Sequence, residues 1–176
     1  PTVTTDTATS ITDISVTLRG TINHNGDTAS GSFCISRSNS NLDVPGVLDS
    51  CLQQVAATVS GNASSANITG LTFATTYFYQ ASATNSMGTA YGIIKSFVTA
   101  AGAPIVTTTD PTGVVQPNAT MNGTVNAGGA NTTVSFCYIS AGSAPTLAAN
   151  GSIPGCTSVT ATPSTVSSTA GNVTVS

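Results

Sequence analysis

Residues 20–36 read GTINHNGDTASGSFCIS, and residues 123–139 read GTVNAGGANTTVSFCYI. The two stretches lie 103 residues apart. The same offset aligns Pro1 with Pro104, Val3 with Val106, Gly20 with Gly123, Gly26 with Gly129, Phe33 with Phe136 and Cys34 with Cys137. Beyond that cysteine the second copy carries two extra residues, so Cys51 matches Cys156 at an offset of 105. At that offset Asn67-Ile68-Thr69 matches Asn172-Val173-Thr174. Self-similarity at a fixed spacing marks a duplicated module. Two domains are expected, 1–100 and 104–176, joined through the small residues Ala100-Ala101-Gly102-Ala103.

Each copy reads as strands. In Ile14-Ser15-Val16-Thr17-Leu18-Arg19 apolar and polar residues alternate, the period of a half-buried strand. In the second copy the alternation turns Ala119, Met121, Gly123 and Val125 inward and Asn118, Thr120, Asn122 and Thr124 outward. Asn25-Gly26 and Gly128-Gly129 tolerate positive φ and mark the turn that follows. Further strands are expected near 31–37, 51–59, 65–71, 76–84 and 91–99. Short strands with turn signals between them and no helical period predict an all-β protein of two tandem Greek-key β-sandwiches.

The segment Ile68-Thr69-Gly70-Leu71-Thr72-Phe73-Ala74-Thr75-Thr76-Tyr77-Phe78-Tyr79 resembles the GL-x-P-x-T-x-Y segment of fibronectin type III domains. The resemblance implies a buried Leu71 and a corner hydrogen bond from Tyr77. Ala83–Gly92 is similar to the hairpin between the last two strands of bacterial members, and Ser96-Phe97-Val98-Thr99 to their terminal strand. Two departures stand out. Ala74 sits near the usual Pro–Gly turn, and the family's strand-B Trp is absent, since the chain has no Trp. The fold is a general spacer and scaffold, so the resemblance implies architecture rather than activity.

Charge narrows the function. Asp, Glu, Lys and Arg make up 5% of the chain, against about 25% in an ordinary soluble domain. Arg19, Arg37 and Lys95 are its basic residues, too few to neutralise nucleic-acid phosphates or to dock on an anionic membrane. No apolar run reaches the ~18 residues of a membrane-spanning helix, so no membrane insertion is expected. A neutral surface of Thr, Ser, Asn and Gly favours association. The partners expected are copies or neighbouring repeats of the same protein, and glycans.

The duplication pairs the cysteines within each copy, Cys34 with Cys51 and Cys137 with Cys156. Closing loops of this size is worth roughly 3 kcal/mol in the chain-entropy model. Zinc wants four N or S ligands, but His24 is the one histidine and the cysteines fall in separate copies, so no metal and no cofactor is expected. Bonded cysteines imply an extracellular or cell-surface location. Seven N-x-[ST] triplets, at Asn62, Asn67, Asn118, Asn122, Asn131, Asn150 and Asn172, are candidate glycosylation sites. With 13 Asn and 55 Ser or Thr in 176 residues, chance supplies about four of them.

Catalysis has little to build on. The acids Asp6, Asp13, Asp27, Asp43, Asp49 and Asp110 fall mostly in predicted turns, where Asp is common anyway. His24 adjoins Asn25-Gly26-Asp27, with no G-x-S-x-G segment in the chain, and reads as a turn residue. Phe78 has the opposite parity to Tyr77 and Tyr79 and is a candidate interface residue.

The second copy stops at Ser176, the position matching Leu71, so its last two strands are expected to be missing within this chain. Val125, Phe136 and Val173 would then present an uncovered inner face, with an unpaired edge beside it. A longer parent chain, a strand donated by a neighbouring subunit, and a self-sufficient five-stranded variant each account for this. The leading expectation is a non-enzymatic structural module of an extracellular fibre, sheath, pilus-like filament or adhesin stalk. The alternative is a spacer or carbohydrate-binding accessory module of a secreted polysaccharide-degrading enzyme.

Overall fold

The computed structural model describes residues 1–38, 47–48, 51–140, 146–149, 151–168 and 173–176, the side chains of 173–175 excepted. Every regular element among them is a β-strand. The chain divides into two compact units, Pro1–Ala101 and Gly102–Ser176.

In the first unit, β1 (Thr2–Thr5), β2 (Ser15–Asn23), β6 (Ala63–Thr69) and β5 (Thr58–Ser60) form one antiparallel sheet in the order β1-β2-β6-β5. The second sheet runs β4-β3-β7-β8, from β3 (Ser30–Ser36), β4 (Gln53–Ala56), β7 (Thr76–Asn85) and β8 (Gly88–Tyr91); β9 (Lys95–Val98) also pairs with β7. Alternation turns Val16, Leu18 and Ile68 of one sheet towards Phe33, Ile35, Tyr77, Tyr79 and Phe97 of the other. Each large apolar side chain withdrawn from water contributes about 1.5–3 kcal/mol. At Ala57, whose N–H donates to the Gly31 carbonyl (2.9 Å), the chain leaves β4 and crosses to the facing sheet as β5.

The second unit repeats the opening of the first. β10 (Ile105–Val115), β11 (Asn118–Asn126) and β14 (Val173–Val175) form one sheet, and β12 (Thr132–Tyr138) with β13 (Thr157–Val166) the other. Thr5 lies opposite Gly20 and Thr108 opposite Gly123; Thr9 opposite Thr17 and Thr112 opposite Thr120. The repeated glycine has a steric reason. A Cβ on Gly20 would stand 3.0 Å from the Thr4 carbonyl oxygen, and one on Gly123 2.7 Å from that of Thr107. Both units turn between sheets through paired positive φ values, 51° and 85° at Asn25-Gly26 and 67° and 91° at Gly128-Gly129, the signature of a type I′ turn.

β13 stands in the place of β4 and β5 and pairs with β12 at both of its ends, from Thr157 opposite Tyr138 to Val166 opposite Thr132, with a register shift between Thr133 and Ser135. Three expectations need correction. The match of Asn172–Thr174 to Asn67–Thr69 is not the structural one. Ile68 pairs with Val16, whereas Val173 pairs with Val125, the counterpart of Ile22. Mutual hydrogen bonds between Thr162 and Ser176 (2.6 and 3.1 Å) repeat the pairing of Thr58 with Ser65, which sets Ser176 level with Ser65 and not with Leu71. Backbone pairing sets this register, and an N-x-T triplet has no part in it. Finally, Val125 is 2% exposed, because Ala127, Ala161 and Val166 cover it, with Val134 and Phe136 packed alongside.

Two tyrosines tie the first unit together. Leu71 is buried, and the Thr72 N–H donates to Tyr77 Oη (2.9 Å) across the corner entering β7. Burial raises the pKa of the Tyr77 phenol, but the Thr72 amide and the Arg37 guanidinium outweigh it and hold the group below its ordinary value. Tyr79 Oη accepts from Ala8 N–H (2.9 Å) and donates to the Asp6 carbonyl (2.7 Å), and burial pushes its pKa up.

Tyr79→Phe strands both a buried N–H and a carbonyl and should cost about 1–3 kcal/mol, whereas Tyr77→Phe should cost about 1 kcal/mol. Urea titrations give both values, and the reverse ranking would mean that the corner bond is the stronger tether. Ala74 adopts φ 47°. Ala74→Gly relieves this left-handed conformation and should raise stability by about 1 kcal/mol; an unchanged or lowered urea midpoint would contradict that.

Candidate functional site

Cys34 is bonded to Cys51 and Cys137 to Cys156, with Cα–Cα distances of 5.4 and 5.7 Å. The first bridge holds Leu48 against the outer side of β7. There Gln80, 1% exposed, accepts from Leu48 N–H through Oε1 (2.7 Å) and donates through Nε2 to the Gly92 carbonyl (2.6 Å). A buried amide is tolerated because both of its ends are bonded. Gln80 escaped the sequence reading, as did the two hydrogen bonds of Tyr79, whose inward parity with Tyr77 its burial bears out. Gln80 has the parity of an ordinary surface residue, and its bonds to Leu48 and Gly92 are long-range contacts that parity does not signal.

The second unit contains the feature that the first does not. In the first unit β3 has partners on both sides, β4 and β7. Among the described residues its counterpart β12 pairs with β13 alone. The Gly31–Ala57 hydrogen bond directs the backbone groups of Gly31, Phe33 and Ile35 towards β4, so those of Ser32, Cys34 and Ser36 face β7. By the same alternation Ser135 and Cys137 present their N–H and C=O groups along the open edge of β12.

Beside this edge lies a cavity of about 360 Å³. Thr108, Ser135, Phe136, Cys137 and Ile153 are among its lining residues. Their counterparts in the first unit are Thr5, Ser32, Phe33, Cys34 and Leu48, the last counted back from the bonded cysteine. All five of those meet β7. Thr5 Oγ1 accepts from Ala81 N–H (3.1 Å), Ser32 Oγ lies 2.8 Å from Ser82 Oγ, Phe33 pairs with Ala81, Cys34 pairs with Gln80, and Leu48 bonds Gln80. Exposure tells the same story. Tyr138 is 47% exposed where its counterpart Ile35 is 0%. Phe136 is half-buried where Phe33 is fully buried, and Thr108 is exposed where Thr5 is buried.

The remaining candidates are scattered. Phe78 is half-buried, opposite Ser36 and Ser96 and on the other face from Tyr77 and Tyr79. Asn62, Asn67, Asn118 and Asn131 are exposed. Asn122, assigned an outward position from its parity, is instead half-buried, and its amide donates to the Asp110 carbonyl (3.0 Å) and Thr112 Oγ1 (3.1 Å). Asn150, Asn172, Asp43, Asp49 and the side chain of Val173 lie outside the described residues. His24 Nδ1 accepts from Ala29 N–H (3.1 Å) while Nε2 faces the Gly61 carbonyl (3.2 Å), so both nitrogens brace the turn. Among the described residues no group of three or more His, Cys, Asp or Glu is placed to hold a metal, and no helix is long and apolar enough to cross a membrane.

No protein-family model matches the chain, and no curated protein matches it.

Asp27 accepts from the Ser86 hydroxyl (2.6 Å) and amide (3.2 Å), clasping the turn after β2 to the β7–β8 hairpin. These bonds, the Ser86 hydroxyl first, hold its carboxyl below the ordinary range. A depressed native pKa adds stability above the unfolded value and loses it as pH falls through the native one. The stability difference between wild type and Asp27→Asn should therefore be constant near neutrality and shrink below about pH 4. Urea titrations across pH 2–7 measure it, and a difference unchanged down to the lowest pH would contradict the assignment.

Proposed function

We propose that this chain is a non-enzymatic structural module of an extracellular or cell-surface assembly, built of two fibronectin type III-like sandwiches. The second sandwich is completed by a β-strand laid along β12, and a neighbouring subunit is the donor. The observation that carries this reading is the groove beside β12, whose lining repeats the residues that meet β7 in the first unit. An unpaired edge next to uncovered apolar side chains drives association. Joining one copy's groove to another copy's strand is a head-to-tail contact, which propagates into a filament.

Other features support the same reading. Two disulfides fit a non-reducing environment. A surface with so few charges offers weak repulsion between copies. The groups that would serve an enzyme are engaged structurally, His24 in bracing its turn and Asp27 in the clasp to Ser86. The carbohydrate-binding reading calls for grouped aromatic platforms. Among the described residues the exposed aromatics are Tyr91 and Tyr138, one in each unit.

Sedimentation velocity over a concentration series, with electron microscopy of the same samples, tests the proposal. Concentration-dependent growth into elongated species is expected. Ser135→Pro removes an N–H that faces the open edge, where proline is tolerated. It should abolish growth while leaving the far-ultraviolet circular dichroism unchanged. A chain that stays monomeric at every concentration would overturn the assembly reading.

A further inference from the structure

We infer that the groove beside β12 takes a strand of a particular sequence class, running antiparallel to β12 and alternating aromatic-x-aromatic-x-small-x-small, as β7 does in Tyr77-Phe78-Tyr79-Gln80-Ala81-Ser82-Ala83. The inference rests on the reading of β12 as an edge awaiting a strand, and it specifies what that strand must be.

The register follows from the repeat. In the first unit Ile35 lies opposite Tyr79, Phe33 opposite Ala81 and Gly31 opposite Ala83. Carried across the offset of 103, Tyr138 faces an aromatic, Phe136 a small residue and Val134 a second small residue. The facing sheet imposes the same choice. A Cβ built on Gly20 would stand 3.1 Å from Ala81 Cβ, so the residue over this glycine has to be small. In the second unit the Phe136 ring borders the same glycine, its Cε1 3.7 Å from where a Cβ on Gly123 would stand, so the room left at this level is again small. Thr108 keeps the hydroxyl that in Thr5 accepts the Ala81 N–H, so a backbone donor arriving at that level finds an acceptor in place. Further towards Tyr138 the occupant has room for a ring, since Tyr138 and Met121 are partly uncovered where Ile35 and Leu18 are sealed.

The outer side of the strand is specified too. Ser135 repeats the serine that meets Ser82, and Ile153 repeats the Leu48 whose backbone bonds Gln80. The groove therefore favours a short polar residue opposite Ser135 and an amide or other hydrogen-bonding side chain opposite Cys137. A strand of bulky residues in strict succession, or one with a large side chain level with Phe136, meets the Phe136 ring over Gly123.

The probe is a synthetic peptide with the sequence of residues 75–85, added to the full, disulfide-intact chain. Hydrogen exchange followed by NMR reads the amides of Ser135 and Cys137, which face the open edge. Their exchange should slow by about tenfold or more on adding the peptide. The same peptide carrying Ala81→Trp, and a peptide of reversed sequence, should leave them unchanged. No slowing at about 1 mM peptide, or equal slowing by the two controls, overturns the inference. Growth in sedimentation without a peptide effect overturns the β7 pattern and leaves the assembly reading standing. A monomeric chain whose amides are protected by the peptide does the reverse.

Discussion

Backbone pairing along β7 carries the first unit. β3 takes one edge over seven residues, from Ser30 opposite Thr84 to Ser36 opposite Phe78, while β8 and β9 share the other. The side chains of the same strand do the rest. Tyr77 and Tyr79 fill the core beside Phe97, Tyr79 also fastens the segment leaving β1, and Gln80 anchors the disulfide loop. A strand with both edges and both faces engaged couples two sheets and a loop into one cooperative unit. Among the described residues of the second unit, β12 has β13 on one side and no such strand on the other.

This coupling is achieved almost without charge. The buried polar groups are neutral: Thr5 bonds Ala81, Thr99 bonds Thr72 and Thr75, Ser64 bonds Gly20, and Gln80 spans Leu48 and Gly92. Neutral hydrogen bonds are little affected by salt, whereas exposed ion pairs are screened within about 10 Å at moderate ionic strength. A fold held this way keeps its tethers across wide changes of ionic environment.

Much of this was legible in the chain. Period-two alternation located β2, β7 and β11, and the constant offset carried through to backbone register, as the pairs Thr5–Gly20 and Thr108–Gly123 show. What sequence could not give was the path between sheets. Whether the strand after the second cysteine breaks and crosses over, as at Ala57, or stays one strand with a register shift, as β13 does, depends on pairing partners far away in the chain. The mismatch at Val173 has a compositional cause: in a chain so rich in Ser, Thr and Asn, a triplet such as N-x-T carries little information. Gln80 and Asn122 have the parity of surface residues because parity sees one sheet and not Leu48 or the β10 bulge that meets them. Of the face expected open at Val125, Phe136 and Val173, the part beside Phe136 and Thr108 borders the groove, while Ala161 and Val166 of β13 close over Val125.

The disulfides also bear on how such a module would respond to pulling. The Cys34–Cys51 and Cys137–Cys156 bridges bypass sequence separations of 17 and 19 residues. Under tension those segments cannot pay out, and each bridge withholds about 50–60 Å of contour from the length its unit can release. Load passes directly from β3 to β4 and from β12 to β13 across a covalent link. A chain made of such units would be a short-travel tether, yielding at its terminal strands while the stapled middle of each unit stays taut.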